Sequence, residues 1–204
     1  TRLQGDWSSD VCSSDLGFKE VLPIINKHVE YLYKYASLRN IPQTSSNSVR
    51  VLFDQGSKYG WVDAQGNSIR AWICWEESIA VMGLWAVWKA TGNVKAMELA
   101  VDVARTITKH AFFKSTDGKW YSAYCVRWDG NSPGKPLPDS SYNLNPINQD
   151  VYVYGIHDWL IPSLKILINA VPALDPDIAR AKDIVEYFGA IPKTLEQSAW
   201  WAVV

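Results

Sequence analysis

The stretch WICWEESIAVMGLWAVWKATGN, Trp72 to Asn93, decides how the rest of the chain is read. Two acids, Glu76 and Glu77, open it, an apolar body follows, and a Thr-Gly-Asn turn closes it. Ile79 to Trp88 carries no polar residue at any position, so no solvent stripe recurs at helical spacing. A helix that is apolar all round is buried on all sides or lies in a bilayer. Spanning a bilayer takes about 20 apolar residues, and this run is shorter. It reads as an inner helix, starting near Trp72 to Trp75 and wrapped by others, and no membrane contact is expected.

Gly92 is the expected left-handed residue ending that helix. The next helix, Asn93 to His110, is amphipathic: Lys95, Glu98, Asp102, Arg105 and Lys109 form one solvated stripe. Val94, Met97, Ala100, Val101, Ala104 and Ile107 form the buried face. An all-apolar helix followed by a one-faced helix is an inner–outer hairpin.

The pattern returns downstream. Asp150 to Ala170 is apolar almost all round, with Pro162 predicting a kink. Asp175-Pro176 is an N-cap followed by proline at the first helical position. Ile178, Ala181, Val185 and Phe188 make one face of a second outer helix, ended by Gly189. Lys193 onward begins another helix.

Between the two hairpins, Ser115 to Lys119 is a hairpin turn, Trp120 to Trp128 one strand, and Asp129 to Gln149 a long Pro/Gly/Ser/Asn-rich loop. Upstream, Phe18 to Arg39 is a helix that tolerates Pro23 only near its first turn. Its apolar residues are Val21, Ile24, Ile25, Val29, Leu32 and Tyr35, with His28 on the same face. Val49 to Phe53 and Tyr59 to Val62 are short β-like runs, with Asp54 and Asp63 in the turns that follow.

Thr1 to Leu16, TRLQGDWSSDVCSSDL, differs in composition from everything after it. It resembles the conceptual translation of a sequencing adapter, which decodes to Asp6 through Leu16 without a mismatch. It is therefore set aside from the native protein. The expected domain is 17–204, a piece truncated at both ends. Without one Arg and three Asp in that tail, 19 basic and 18 acidic residues remain, a formal charge of +1. No basic field points to nucleic acid. Cys74 and Cys125 lack metal-ligand spacing, and a disulfide between them stays open. No metal, nucleotide or other cofactor motif is present. Ten tryptophans lie between Trp61 and Trp201. Each is a core residue or a flat platform with one donor.

GLWAVWKATGNVKAMELAVDVARTI, Gly83 to Ile107, with STDGKWYSAY, Ser115 to Tyr124, resembles the hairpin signature of α/α-toroid proteins. These are the six-hairpin glycosidase-like enzymes, the N-acylglucosamine 2-epimerase-like enzymes and related polysaccharide lyases. The resemblance implies a mainly α fold: an incomplete α/α toroid of inner–outer helical hairpins with short β-hairpin excursions. It implies a carbohydrate ligand at the mouth formed by the inner-helix N-termini, as for a glycoside hydrolase, polysaccharide lyase or sugar epimerase. That expectation puts Trp72, Trp75, Glu76 and Glu77 at the mouth from one inner helix, and Gln149, Asp150 and Tyr152 from the other.

Glu76 and Glu77 suit a base or nucleophile, because the helix dipole favours their ionised form, although acids at a helix start also serve the helix alone. Asp150, Tyr154 and His157 share one helical face, Asp150 as cap or acid, His157 as core residue or proton shuttle. Glu76 with Asp150 is the pair to test against the roughly 5–9.5 Å that glycosidase carboxyls require. Trp72, Trp75, Trp128, Tyr152 and Tyr154 are the candidate sugar-binding aromatics. The alternative is a non-catalytic helical-repeat protein, binding or structural, cellular or viral, in which the tryptophans are packing and the acids are caps. Burial of Trp72, Trp75, Trp128 and Tyr152 discriminates between the two.

Overall fold

The computed structural model describes residues 18–36, 50–53, 65–67, 71–114, 116, 118–122, 125–127, 135–136 and 156–190. These are mainly helical. In chain order they form α1 (Phe18–Tyr31), continued by a π turn (Leu32–Ala36), then β1 (Ala71–Ile73), α2 (Cys74–Thr91) and α3 (Val94–His110). The short strands β2 (Phe112–Lys114), β3 (Trp120–Ser122), β4 (Cys125–Arg127) and β5 (Lys135–Pro136) follow. A second π turn (Ile156–Leu160), α4 (Ile161–Ala170) and α5 (Pro176–Gly189) complete the order.

The helical hairpin α2–α3 is set by its turn. Gly92 takes φ +70, and its N–H reaches back to the Trp88 carbonyl at 2.7 Å. Asn93 then caps α3, its side chain accepting from the N–H groups of Lys95 and Ala96. An L-residue with a Cβ is strained at that φ, so glycine is the residue the turn requires. The second hairpin is also opened by a side chain. Asp175 accepts from the N–H of Asp177, and Pro176 fills the first turn of α5.

The helices pack in an alternating order. Hairpin partners α2 and α3 contact each other, as do α4 and α5. Across the hairpins α2 meets α4 and its π turn, α3 meets α5, and α3 also packs on α4. Leu99, Val103 and Ile107 from α3, Leu164 and Leu167 from α4, and Ile178 and Ile184 from α5 are completely or almost completely buried. Each such side chain contributes about 1.5–3 kcal/mol through removal from water. The strands form two antiparallel units. β2 pairs with β3 across the Ser115–Lys119 turn, and β1, β4 and β5 make a three-stranded sheet with Trp72 opposite Val126.

Several expectations are corrected here. The start of α2 at Cys74 falls within the expected Trp72 to Trp75, while Trp72 and Ile73 before it are extended and pair with β4. Trp120 to Trp128 is not one strand. β3 pairs back onto β2 while β4 joins β1, so the chain changes sheets between Ser122 and Cys125. The long loop after it contains β5, two residues paired on β4. Pro162 lies in the first turn of α4, directly after the π turn Ile156–Leu160, and Leu160 between them keeps helical dihedrals, so the helix is irregular where the proline was expected to disturb it.

α2 is also not buried all round. Val81 and Leu84 are buried, but Ile79 is 40% exposed, and Gly83, Ala86 and Ala90 on the same stripe are exposed. Val94, expected inside, is 56% exposed at the start of α3. On α1, Val29 is buried, while Val21 and Ile24 face solvent. Cys74 is buried.

The stripe of charges along α3 is only in part a solvated face. Glu98 accepts from the Tyr33 hydroxyl at 2.6 Å, and Lys95 pairs with Glu30 at 2.5 Å. Asp102 pairs with Arg50, and Arg105 binds Asp175 and Asp177, each at 2.7 Å. Lys109 joins Asp177 at 3.2 Å. Every member of the stripe therefore reaches a segment of chain outside α3. The charge periodicity that reads as solvent exposure is a seam of side chains between elements.

Candidate aromatic and acidic site at the start of α2

The first turn of α2 carries Trp75, Glu76 and Glu77, and the π turn before α4 lies against it. The ring of Trp75 meets that of Trp159 at 5.4 Å between centroids, with 35° between planes. Both residues are half-buried, so the two rings meet at a corner that keeps part of each exposed. The indole Nε1 of Trp75 is buried without an acceptor among the described residues. Glu76, half-buried, is the next residue on the helix, and Asp158, exposed, precedes Trp159. The start of α2 and the π turn before α4 are thus brought together, and Trp159 is the aromatic that the sequence reading passed over. The signal that selected Trp75, an indole beside an acid at the start of an apolar helix, is present at Asp158-Trp159 too.

Glu77 is not part of this corner. It is completely buried. Its Oε1 accepts from the Phe53 N–H at 2.7 Å, and both oxygens lie 3.0 Å from the Leu52 N–H. Burial pushes its carboxyl up to about 8, against the lowering effect of those two backbone donors. Desolvation thus outweighs the hydrogen bonds that favour the charged form. A buried carboxyl whose oxygens are occupied by backbone donors cannot reach a substrate. Glu77 holds residues 50–53 on α2, which also corrects the β-like reading of that run: its donors go to Glu77 and, from Arg50 N at 2.8 Å, to Thr106 Oγ1. Trp72 is likewise removed from the mouth. It is fully buried in β1, with Nε1 lacking an acceptor among the described residues, and serves the core, not as a platform for a ligand.

Of the other candidates, Trp128, Gln149, Asp150, Tyr152 and Tyr154 lie outside the described residues, as do Asp54 and Asp63. His157 lies in the described π turn by its backbone alone. Among the described residues no three His, Cys, Asp or Glu side chains form a metal-binding group. None of the described helices is long and apolar enough to cross a membrane.

A second polar cluster sits where α3 ends. Arg180 from α5 donates through Nε to the Thr108 carbonyl at 2.8 Å and through Nη2 to the Phe112 carbonyl at 2.6 Å. Its guanidinium covers the Trp120 ring at 4.7 Å. Next to it, burial, with Lys109 and Arg180 adding to it, holds the His110 imidazole down to about 4. The cluster closes a helix end, since a cation there matches the dipole and supplies the donors that the last carbonyls lack.

No family model matches the chain, and no curated protein or solved structure matches it significantly.

Proposed function

We propose that the chain is part of an α/α-toroid protein that binds carbohydrate at the start of α2. In this reading α2 and α4 are inner helices and α3 and α5 outer ones. The observation that carries the proposal is the half-buried Trp75–Trp159 corner with Glu76 beside it. Apolar indole faces suit the C–H faces of a sugar ring. A carboxylate one residue away is placed for proton transfer or for orienting a hydroxyl. The reaction class is that of a glycoside hydrolase, polysaccharide lyase or epimerase, with Glu76 as the proposed acid or base. Asp150 remains the proposed second carboxyl.

The test is a panel of soluble polysaccharides, read both by tryptophan fluorescence and by product formation. Trp159→Ala is expected to weaken binding about tenfold, since an aromatic contact and its buried area contribute on the order of 1–2 kcal/mol. Glu76→Gln is expected to leave binding intact and lower turnover by roughly 10²–10⁴-fold. If no polysaccharide quenches the wild-type fluorescence, the carbohydrate reading is wrong.

The burial of Trp72 and Glu77 favours a second reading, a non-catalytic helical-repeat protein. Binding that Trp159→Ala weakens, with no turnover of any bound polysaccharide, would select it.

A further inference from the structure

The Arg50 side chain makes its contacts on α3 and on Tyr33. Its side chain is 5% exposed, and its Nη1 donates to Asp102, which is 44% exposed. Its Cζ lies 5.2 Å from the centroid of the Tyr33 ring. Nε and Nη2 are buried and have no acceptor among the described residues. In a planar guanidinium the Nε–H and the adjacent Nη2–H point the same way along one edge. That edge is a fork with the spacing of the two oxygens of a carboxylate. Burying an ionised group with its best two-donor edge unfilled is costly, and native structures seldom leave such donors unmade.

We propose that this edge of Arg50 is a binding site for the carboxylate of a small organic acid, a site independent of the carbohydrate reading. The carboxylate is drawn by the two-donor fork itself, and the charge surroundings limit it to a single negative charge. Around Tyr33 the cations are Arg50 and Lys95, which lies 5.4 Å from the ring, and the acids are Asp102, Glu98 and Glu30. The acids outnumber the cations, so a dianion such as hydrogen phosphate meets net repulsion. Among anions that can take both donors, a singly charged, planar carboxylate does so at the smallest electrostatic cost. It would complete the guanidinium, with Asp102 holding Nη1 and the bound acid holding Nε and Nη2.

The experiment titrates the full chain with acetate and with glucuronate, using glucose, chloride and inorganic phosphate at matched ionic strength as comparisons. The readout is the Arg50 Nε–Hε correlation in nitrogen-edited NMR. The expected result is a saturable downfield shift of that one signal with acetate and glucuronate. Arg50→Lys, which offers a point charge in place of the fork, is expected to bind acetate ~10-fold more weakly by calorimetry. An Arg50 signal that stays unmoved up to saturating acetate overturns the site, whether or not the lysine variant folds. A shift with phosphate as large as that with acetate overturns the choice of a planar monoanion. A response to glucuronate in a protein that ignores neutral polysaccharides keeps this proposal while rejecting the carbohydrate one.

Discussion

At Glu77 the balance between burial and hydrogen bonding sets a pH dependence that can be measured. Its folded-state carboxyl, near 8, lies above the ordinary 4.5, so the folded protein holds the proton more tightly. The resulting stability is complete below pH 4.5 and is lost as pH rises through about 8. His110 works in the opposite sense: held down to about 4 from 6.5, it contributes stability above pH 6.5 that is lost as pH falls toward 4. The two slopes oppose each other at acid pH and leave Glu77 alone between pH 6.5 and 8. Urea melts across that upper window are expected to show stability falling by up to ~1.4 kcal/mol per pH unit. Glu77→Gln keeps an acceptor for Leu52 and Phe53 and is expected to flatten the slope. Glu77→Ala is expected to cost at least ~2 kcal/mol at every pH, because it strands two buried donors. An unchanged slope in Glu77→Gln would assign the pH dependence elsewhere. The pair Glu76-Glu77 also marks what could be read without a structure. Two acids at a helix start are visible in sequence, but which one faces the core depends on residues 50–53 crossing that turn, a contact made over 24 or 25 residues.

For the helices and strands, the local signals were legible and the partners were not. The Thr91-Gly92-Asn93 turn, the Asp175 cap and the β2–β3 hairpin depend on residues within a few positions, and each formed as its sequence implies. The strand reading of Trp120 to Trp128 failed because alternation cannot say that two halves of one run pair with different strands. Gly92→Ala is expected to lower stability by about 1–2 kcal/mol in thermal or urea unfolding, through strain at φ +70 and not through a clash, as nothing lies within 4 Å of an added Cβ. At the head of α5, the Arg105 guanidinium beside Asp175 holds that carboxyl below its usual range. The stability this gives is present above the ordinary carboxylate pKa and is lost as pH falls through the depressed one. Asp175→Asn is expected to retain the cap and lose that acid sensitivity. Asp175→Ala is expected to lose the cap as well, about 1 kcal/mol more, in urea melts. Equal losses in the two variants would show that the cap contributes nothing.

Across the whole molecule, the described elements hang on α3. It touches α1, α2, α4 and α5, and its polar stripe joins segments separated by 50 to more than 70 residues. The apolar pattern located its buried face approximately. No pattern could show that its charged face is also a contact surface, because a charge periodicity looks the same opposite water and opposite another charge. Hydrogen exchange is expected to be slowest through Leu99 to Ile107 and much faster in α1, where Val21, Ile24 and Tyr31 face solvent. Similar protection in the two helices would mean that α1 is covered in solution. The tryptophan corner was half legible: Trp75 and Glu76 stood out, Trp159 did not, and the burial of Trp72 follows from β4, more than fifty residues downstream.

The Arg180 cap has a consequence for the order in which the protein is made. The last turn of α3 gives its Thr108 carbonyl, and the chain just beyond gives its Phe112 carbonyl, to a side chain on α5, 72 and 68 residues later. A ribosome delivers the α2–α3 hairpin well before that arginine leaves the exit tunnel. Until then the end of α3 waits on the nascent chain with those acceptors facing water, able to fray and refold. The first hairpin is locked only by the arrival of the second, so a stall in translation between residues 112 and 180 would leave a hairpin already formed at its Gly92 turn but still open at its far end.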